Sequence, residues 1–105
     1  MPDSTIINAL KAIFKRIVPD AQVYLFGSQA RGSAKEGSDV DLLILLDRSR
    51  ITPTDEYNIT NPLYDLEMKE GVMISPIVMT TSRWEQSKYQ TLLYHNIQQD
   101  GIKLQ

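Results

Sequence analysis

Val23-Tyr24-Leu25-Phe26-Gly27-Ser28-Gln29-Ala30-Arg31-Gly32, followed after a short polar run by Ser38-Asp39-Val40-Asp41-Leu42-Leu43-Ile44-Leu45-Leu46, carries more structural information than the rest of the chain. Val23 to Phe26 are β-branched, aromatic or aliphatic and stop at a glycine. This predicts a buried strand whose backbone turns sharply at Gly27 into a turn or a helix start. Val40 to Leu46 predicts a second buried strand with its acidic end first. Side chains alternate along a strand, so Asp39 and Asp41 project from one face with Cα atoms about 7 Å apart.

Two carboxylates placed in this way repel each other unless a cation lies between them. Magnesium fits: it prefers oxygen ligands, takes one or two carboxylates, and fills its shell with water and phosphate oxygens. Amide groups after Gly27, with the Ser28 hydroxyl, would face the same mouth and suit phosphate oxygens. A side chain at position 27 would block that approach. Each part also has an ordinary explanation, since a lone Gly-Ser is usually a turn and an Asp-x-Asp at a strand start is often a solvated end. Their joint occurrence in this order, between two apolar strands, points to a site for a metal-bound nucleotide.

Gly27-Ser28, the ten residues 29–38 and then Asp39-Val40-Asp41 resemble the signature of the DNA polymerase β-like nucleotidyltransferase superfamily. Within it, Gln29-Ala30-Arg31-Gly32 and Ser38 are similar to the minimal nucleotidyltransferases, small domains of bacteria and archaea. The resemblance covers about a quarter of the chain closely and the rest in its order of elements. It implies a nucleotidyltransferase fold, with Asp39 and Asp41 as catalytic and metal-binding residues for Mg2+ or Mn2+. It also implies that Gly27, Ser28, Arg31 and Ser38 bind the nucleotide. Two roles stay open for Arg31: orienting the loop or the phosphates, or forming a surface ion pair.

The remaining elements follow from periodicity. Ser4 to Val18 places Ile6, Ile7, Leu10, Ile13, Phe14, Ile17 and Val18 at helical spacing opposite Lys11, Lys15 and Arg16, with Asp3 or Ser4 as cap. Thr54 to Met68 carries a weaker helical pattern that Pro62 should kink or split. Val72 to Met79 predicts a third strand, with Pro76 marking an edge strand or a bulge. Ser82 to Gln99 predicts a final helix with Ser82 as cap and Glu85 in the reciprocal position, burying Trp84, Leu92 and Leu93 while leaving Tyr89 and Tyr94 spare. Asp100-Gly101 then turns the chain into Ile102-Lys103-Leu104. His95 is expected to be exposed, and Arg48 and Arg50 to lie in a solvated loop. The expected class is α/β (α+β), a small mixed sheet packed by helices, in a single domain spanning residues 1–105.

Composition narrows the function. The 105 residues allow one core, burying somewhat over about 60% of the unfolded chain's surface. A net charge of −2 and a pI near 5.3 provide no basic field, which disfavours direct nucleic-acid binding. No cysteine is present, so thiolate metal sites and thiol nucleophiles are excluded. No stretch reads as a signal peptide or a membrane span, and a cytoplasmic protein is expected.

In catalytically complete relatives, the resemblance implies, a third carboxylate on the third strand acts as the base. This chain has none between Val72 and Met79, and the candidates facing the site are Met73 and Ser75. Glu67 and Glu70, the nearest upstream acids, are expected on a solvated helix end. The resemblance further implies a nucleoside triphosphate, ATP, as substrate and a partner encoded nearby, a helical HEPN-domain ribonuclease. Some minimal nucleotidyltransferases inactivate such a partner as antitoxins by adding AMP to a tyrosine, and others act by binding. The alternative is therefore a catalytically impaired module that works by binding its partner or a nucleotide.

Overall fold

A computed structural model describes residues 4–32, 39–88 and 91–105. Its elements run in the order α1 (Ser4–Ile17), β1 (Gln22–Phe26), α2 (Gly27–Arg31), β2 (Val40–Leu46), α3 (Pro53–Glu70), β3 (Ile74–Thr80), α4 (Thr81–Gln86), α5 (Leu92–Asp100) and β4 (Ile102–Lys103). The sheet order is β3-β2-β1-β4. β1 runs antiparallel to both β2 and β4, and β2 and β3 are parallel, so the sheet is mixed, as the sequence predicts. The final Ile102-Lys103 adds a short strand beside Tyr24 and Leu25.

β2 reads as an almost continuous apolar run because both of its faces are covered. On one face Val40, Leu42, Ile44 and Leu46 join Val23 and Leu25 of β1, Ile6, Leu10 and Phe14 of α1, and Ile59, Leu63 and Leu66 of α3. On the other, Leu43 and Leu45 pack with Trp84, Tyr94 and Ile97 of α4 and α5. Asp41 has the parity of Leu43 and Leu45 and therefore opens toward the α4 and α5 side.

α3 is not split at Pro62 but runs unbroken to Glu70. Pro62 removes one backbone donor, while Ile59, Leu63 and Leu66, all anchored on the sheet, hold the turns on either side of it. Its ends are well secured. Thr52 and Asp55 exchange hydrogen bonds of 3.0 and 3.1 Å in a capping box, Pro53 leads the first turn, and Gly71 closes the last one at φ 67°.

The single helix expected over 82–99 is two helices. Thr80 caps α4 through the Arg83 N–H at 3.2 Å, and Thr91 caps α5 through the Tyr94 N–H at 3.1 Å. Ser87 closes α4, its N–H reaching the Arg83 and Trp84 carbonyls and its hydroxyl the Trp84 carbonyl. On one straight helix Trp84 and Tyr94 would point about 80° apart, given 3.6 residues per turn. The break lets both face the sheet, with ring centroids 4.8 Å apart. Tyr94 is consequently buried and Leu92 is 74% exposed, the reverse of the sequence expectation. Tyr89 and the capping candidate Asp3 lie outside the described residues. His95 is exposed as expected.

β3 is an edge strand, as Pro76 suggests. The Met73 carbonyl accepts from the Val40 N–H at 2.8 Å, so odd-numbered residues of β3 direct their backbone groups toward β2 and even-numbered ones direct theirs outward. Pro76 falls on the outward set, where its missing donor costs no ladder bond. The outward N–H of Ile74 donates to Glu67 Oε1 at 2.8 Å. Glu67 is thus half-buried and engaged rather than solvated at a helix end, and with Pro76 it blunts the first half of an edge that could otherwise pair with another chain. Glu67→Ala should lower stability by about 1–3 kcal/mol, the range for stranding a donor of a charge-assisted bond. Glu67→Gln, which keeps an acceptor oxygen, should cost less, as read from urea denaturation midpoints.

Candidate functional site

β1 and β2 are paired so that Phe26 lies opposite Asp41, which sets the end of one strand and the beginning of the other side by side. The chain leaves β1 at Gly27 with φ 75°, a conformation that costs an L side chain about 1–2 kcal/mol. It then forms α2, which closes with Gly32 at φ 73°. A Cβ on Gly27 would collide with Oδ2 of Asp41. The glycine therefore serves two geometric needs at once, the left-handed turn and the room taken by the Asp41 carboxylate.

Asp39 is exposed just ahead of β2, and Asp41 is half-buried. Burial pushes the Asp41 carboxyl above the ordinary carboxylate range, the Asp39 charge adds to the shift, and the Arg31 guanidinium partly opposes it. Gly27, Asp39, Asp41 and Arg31 thus form one neighbourhood. Ser28 is half-buried on α2, next to Gly27. Ser38 lies outside the described residues. Arg48 is engaged elsewhere: its Nη1 pairs with Asp55 Oδ1 at 3.0 Å beyond the far end of β2.

The neighbouring strand places Ser75 directly beside Asp41. Met73, whose carbonyl holds Val40, is 59% exposed one step before it. Neither position offers a carboxylate, and no group of three metal-ligating side chains occurs among the described residues. The donor set is two carboxylates whose mutual repulsion a divalent cation would relieve, with every donor an oxygen. It fits magnesium or manganese completed by water and phosphate oxygens.

A helix-covered mixed sheet with a glycine turn set against an Asp-x-Asp strand start defines a nucleotidyltransferase-type domain. The chain belongs to the nucleotidyltransferase domain family, whose model matches residues 7–100. It is 37% identical over 75 residues to the putative protein adenylyltransferase MJ0141 of Methanocaldococcus jannaschii, covering 70% of this chain and 75% of that one. It is 47% identical over 36 residues to the probable protein adenylyltransferase MntA of Haemophilus influenzae. That match covers 34% of this chain and spans about a third (32%) of the relative's length. In fold it is similar to the crystal structure of a toxin-antitoxin with AMP-PNP, with a TM-score of 0.67 at 17% identity over 94% of this chain and 72% of that one.

Two outcomes follow from the Gly27–Asp41 approach. Gly27→Ala should destabilise the fold by about 1–2 kcal/mol from backbone strain alone. The added cost of displacing Asp41 should vanish in the Asp41→Ala background, giving a non-zero coupling in a double-mutant cycle. Because the folded state holds the Asp41 proton more tightly than the unfolded state does, stability should fall as pH rises from the ordinary carboxylate value through the raised one. Above that window, without divalent cation, Asp41→Asn should melt higher than wild type, and the difference should disappear below it.

Proposed function

We propose that residues 1–105 act as a single cytoplasmic domain that binds a nucleoside triphosphate, ATP, with Mg2+ or Mn2+. In this reading it transfers the nucleoside monophosphate to a hydroxyl of a partner protein, as the antitoxin of a pair whose other member is a HEPN-domain protein. The observation that carries the reading is the half-buried Asp41 carboxylate held against Gly27 beside Asp39, an arrangement that is electrostatically unfavourable without a cation. Two relatives named as protein adenylyltransferases support the transferred group, and the toxin-antitoxin structure of similar fold with AMP-PNP, an ATP analogue, supports both nucleotide and partner.

Asp39 and Asp41 would hold the cation, which when bound neutralises charge on the triphosphate and on the departing pyrophosphate. Ser28 and the amides following Gly27 would donate hydrogen bonds to the β- and γ-phosphate oxygens, with Ser38 completing the nucleotide contacts. Arg31, on the last turn of α2, is within electrostatic reach of Asp41 and would orient the phosphates. The acceptor oxygen then attacks the α-phosphorus in line, the bond to the β-phosphate oxygen breaks, and pyrophosphate leaves. Such transfer rests chiefly on positioning and charge neutralisation.

The acceptor's proton has no carboxylate to receive it from β3, since Ser75 stands beside Asp41. A positioned base contributes about 10²–10⁴-fold, so the reading is of a slow transferase whose acceptor hydroxyl is activated by groups of its own protein. The same Ser75 favours a second reading, a catalytically impaired module that neutralises its partner by contact or binds nucleotide without turnover.

Transfer of α-labelled ATP to the HEPN-domain protein separates the two. The first reading expects label on the partner with wild type and none with Asp39→Asn or Asp41→Asn, while Ser75→Asp, which returns a carboxylate beside Asp41, should raise the rate. A stable complex that neutralises the partner with no label, unchanged by the Asp substitutions, would select the second.

A further inference from the structure

Asp41 lies between two strands, and neither neighbour brings an acid to it. Phe26 of β1 stands on one side and Ser75 of β3 on the other. Leu43 and Leu45 share one layer with Phe26, Ile77 and Met79, so by strand alternation Asp41, Phe26 and Ser75 all face that side of the sheet. The Cα atoms of Ser75 and Asp41 are one strand spacing apart, ~4.8 Å, with their side chains side by side. Next along β3 toward Asp39 is Met73, whose carbonyl accepts from the Val40 N–H. Its thioether is a soft donor that magnesium and manganese leave in favour of oxygen.

Charge decides how many cations such a place can hold. Two-metal sites keep their ions about 3.5–4 Å apart. Repulsion between two divalent ions is about four times that of unit charges at the same distance, so anionic ligands shared by both ions must offset it. Here β2 brings two carboxylates, β3 brings none, and the Arg31 guanidinium acts on Asp41 with the opposite sign. A serine hydroxyl can give an oxygen to a cation, as in nucleotide-binding loops, but it gives no charge.

We propose that the site of Asp39 and Asp41 takes a single divalent cation together with the nucleotide, and that Ser75 sets this number by standing where a carboxylate would admit a second. The inference rests on the reading of Asp39 and Asp41 as holders of a metal-bound nucleotide. It deepens that reading in one respect. A single ion shared with the triphosphate leaves the acceptor hydroxyl without a metal of its own, so activation of that hydroxyl falls to the partner protein.

Manganese is paramagnetic, which lets the ions be counted and their separation sensed. The protein is loaded with Mn2+ and an ATP analogue carrying a methylene group between the α- and β-phosphates, so that nothing can be transferred. Equilibrium dialysis reads the retained analogue, and electron paramagnetic resonance reads the manganese bound per retained nucleotide. Wild type should retain more analogue than Asp41→Asn and hold one manganese with the spectrum of an isolated ion. Ser75→Asp should hold two, with a spin-coupled spectrum, and Ser75→Asn, which adds no charge, should stay at one. Two coupled ions in the wild type or in Ser75→Asn overturn the proposal, as does a single ion in Ser75→Asp with unchanged circular dichroism. The wild-type count decides the matter even if Ser75→Asp does not fold. Equal retention of the analogue by wild type and Asp41→Asn is a different failure, since it removes the nucleotide site itself and the inference with it.

Discussion

The backbone of Gly27 lies against the carboxylate of Asp41, and this approach governs how the rest of the molecule is arranged. It requires that β1 end where β2 begins, hence the antiparallel register that puts Phe26 opposite Asp41. It requires a left-handed residue at the turn, hence the glycine. It also requires that a partly desolvated acid be tolerated beside a second one, which only a well-anchored β2 can enforce. That anchoring comes from Leu42 to Leu46, sealed by helices from both sides of the sheet. A strand held so firmly can carry an unfavourable electrostatic pair at its exposed end, and this is how local destabilisation persists at functional sites.

The two helical layers have different tasks. α4 and α5 pack on the Asp41 side of the sheet through Trp84 and Tyr94, and α5 also reaches α2. α1 and α3 close the other side. α3 also links β2 to the parallel β3, and Glu67 ties its last turn to the first residue of that strand. The strand running beside the two acids is therefore positioned by a side-chain bond as well as by the ladder. What it presents beside Asp41 is Ser75, not a carboxylate.

Much of this was legible in the residues. The Gly27-Ser28 turn, the Asp39-x-Asp41 strand start, the amphipathic α1, the edge character of β3 and the lack of an acid on it are all local patterns. They depend on backbone conformations and one-face burial that a short window records. The mixed α/β class followed from their order. The resemblance of the motif to nucleotidyltransferases agreed with membership in that family, because spacing between two strands and a turn is itself a geometric constraint.

The sequence by itself determined which residues stand at the turn and at the strand start, since these are set by backbone preference and side-chain alternation. Only the tertiary structure decided that Gly27 meets Asp41, that Glu67 takes the Ile74 donor, that α3 passes through Pro62, and that the last helix breaks so that Trp84 and Tyr94 share one face. The Glu67–Ile74 bond spans only seven residues but depends on how α3 and β3 are set on the sheet, and the others depend on contacts between segments distant in the chain. Burial there favours a local exception, a proline kept inside a helix or a helix interrupted, that periodicity cannot foresee. The exposure of Leu92 and the burial of Tyr94 have the same origin: the break after Gln86 rotates α5, and the hydrophobic rank of a side chain does not say which way its helix faces.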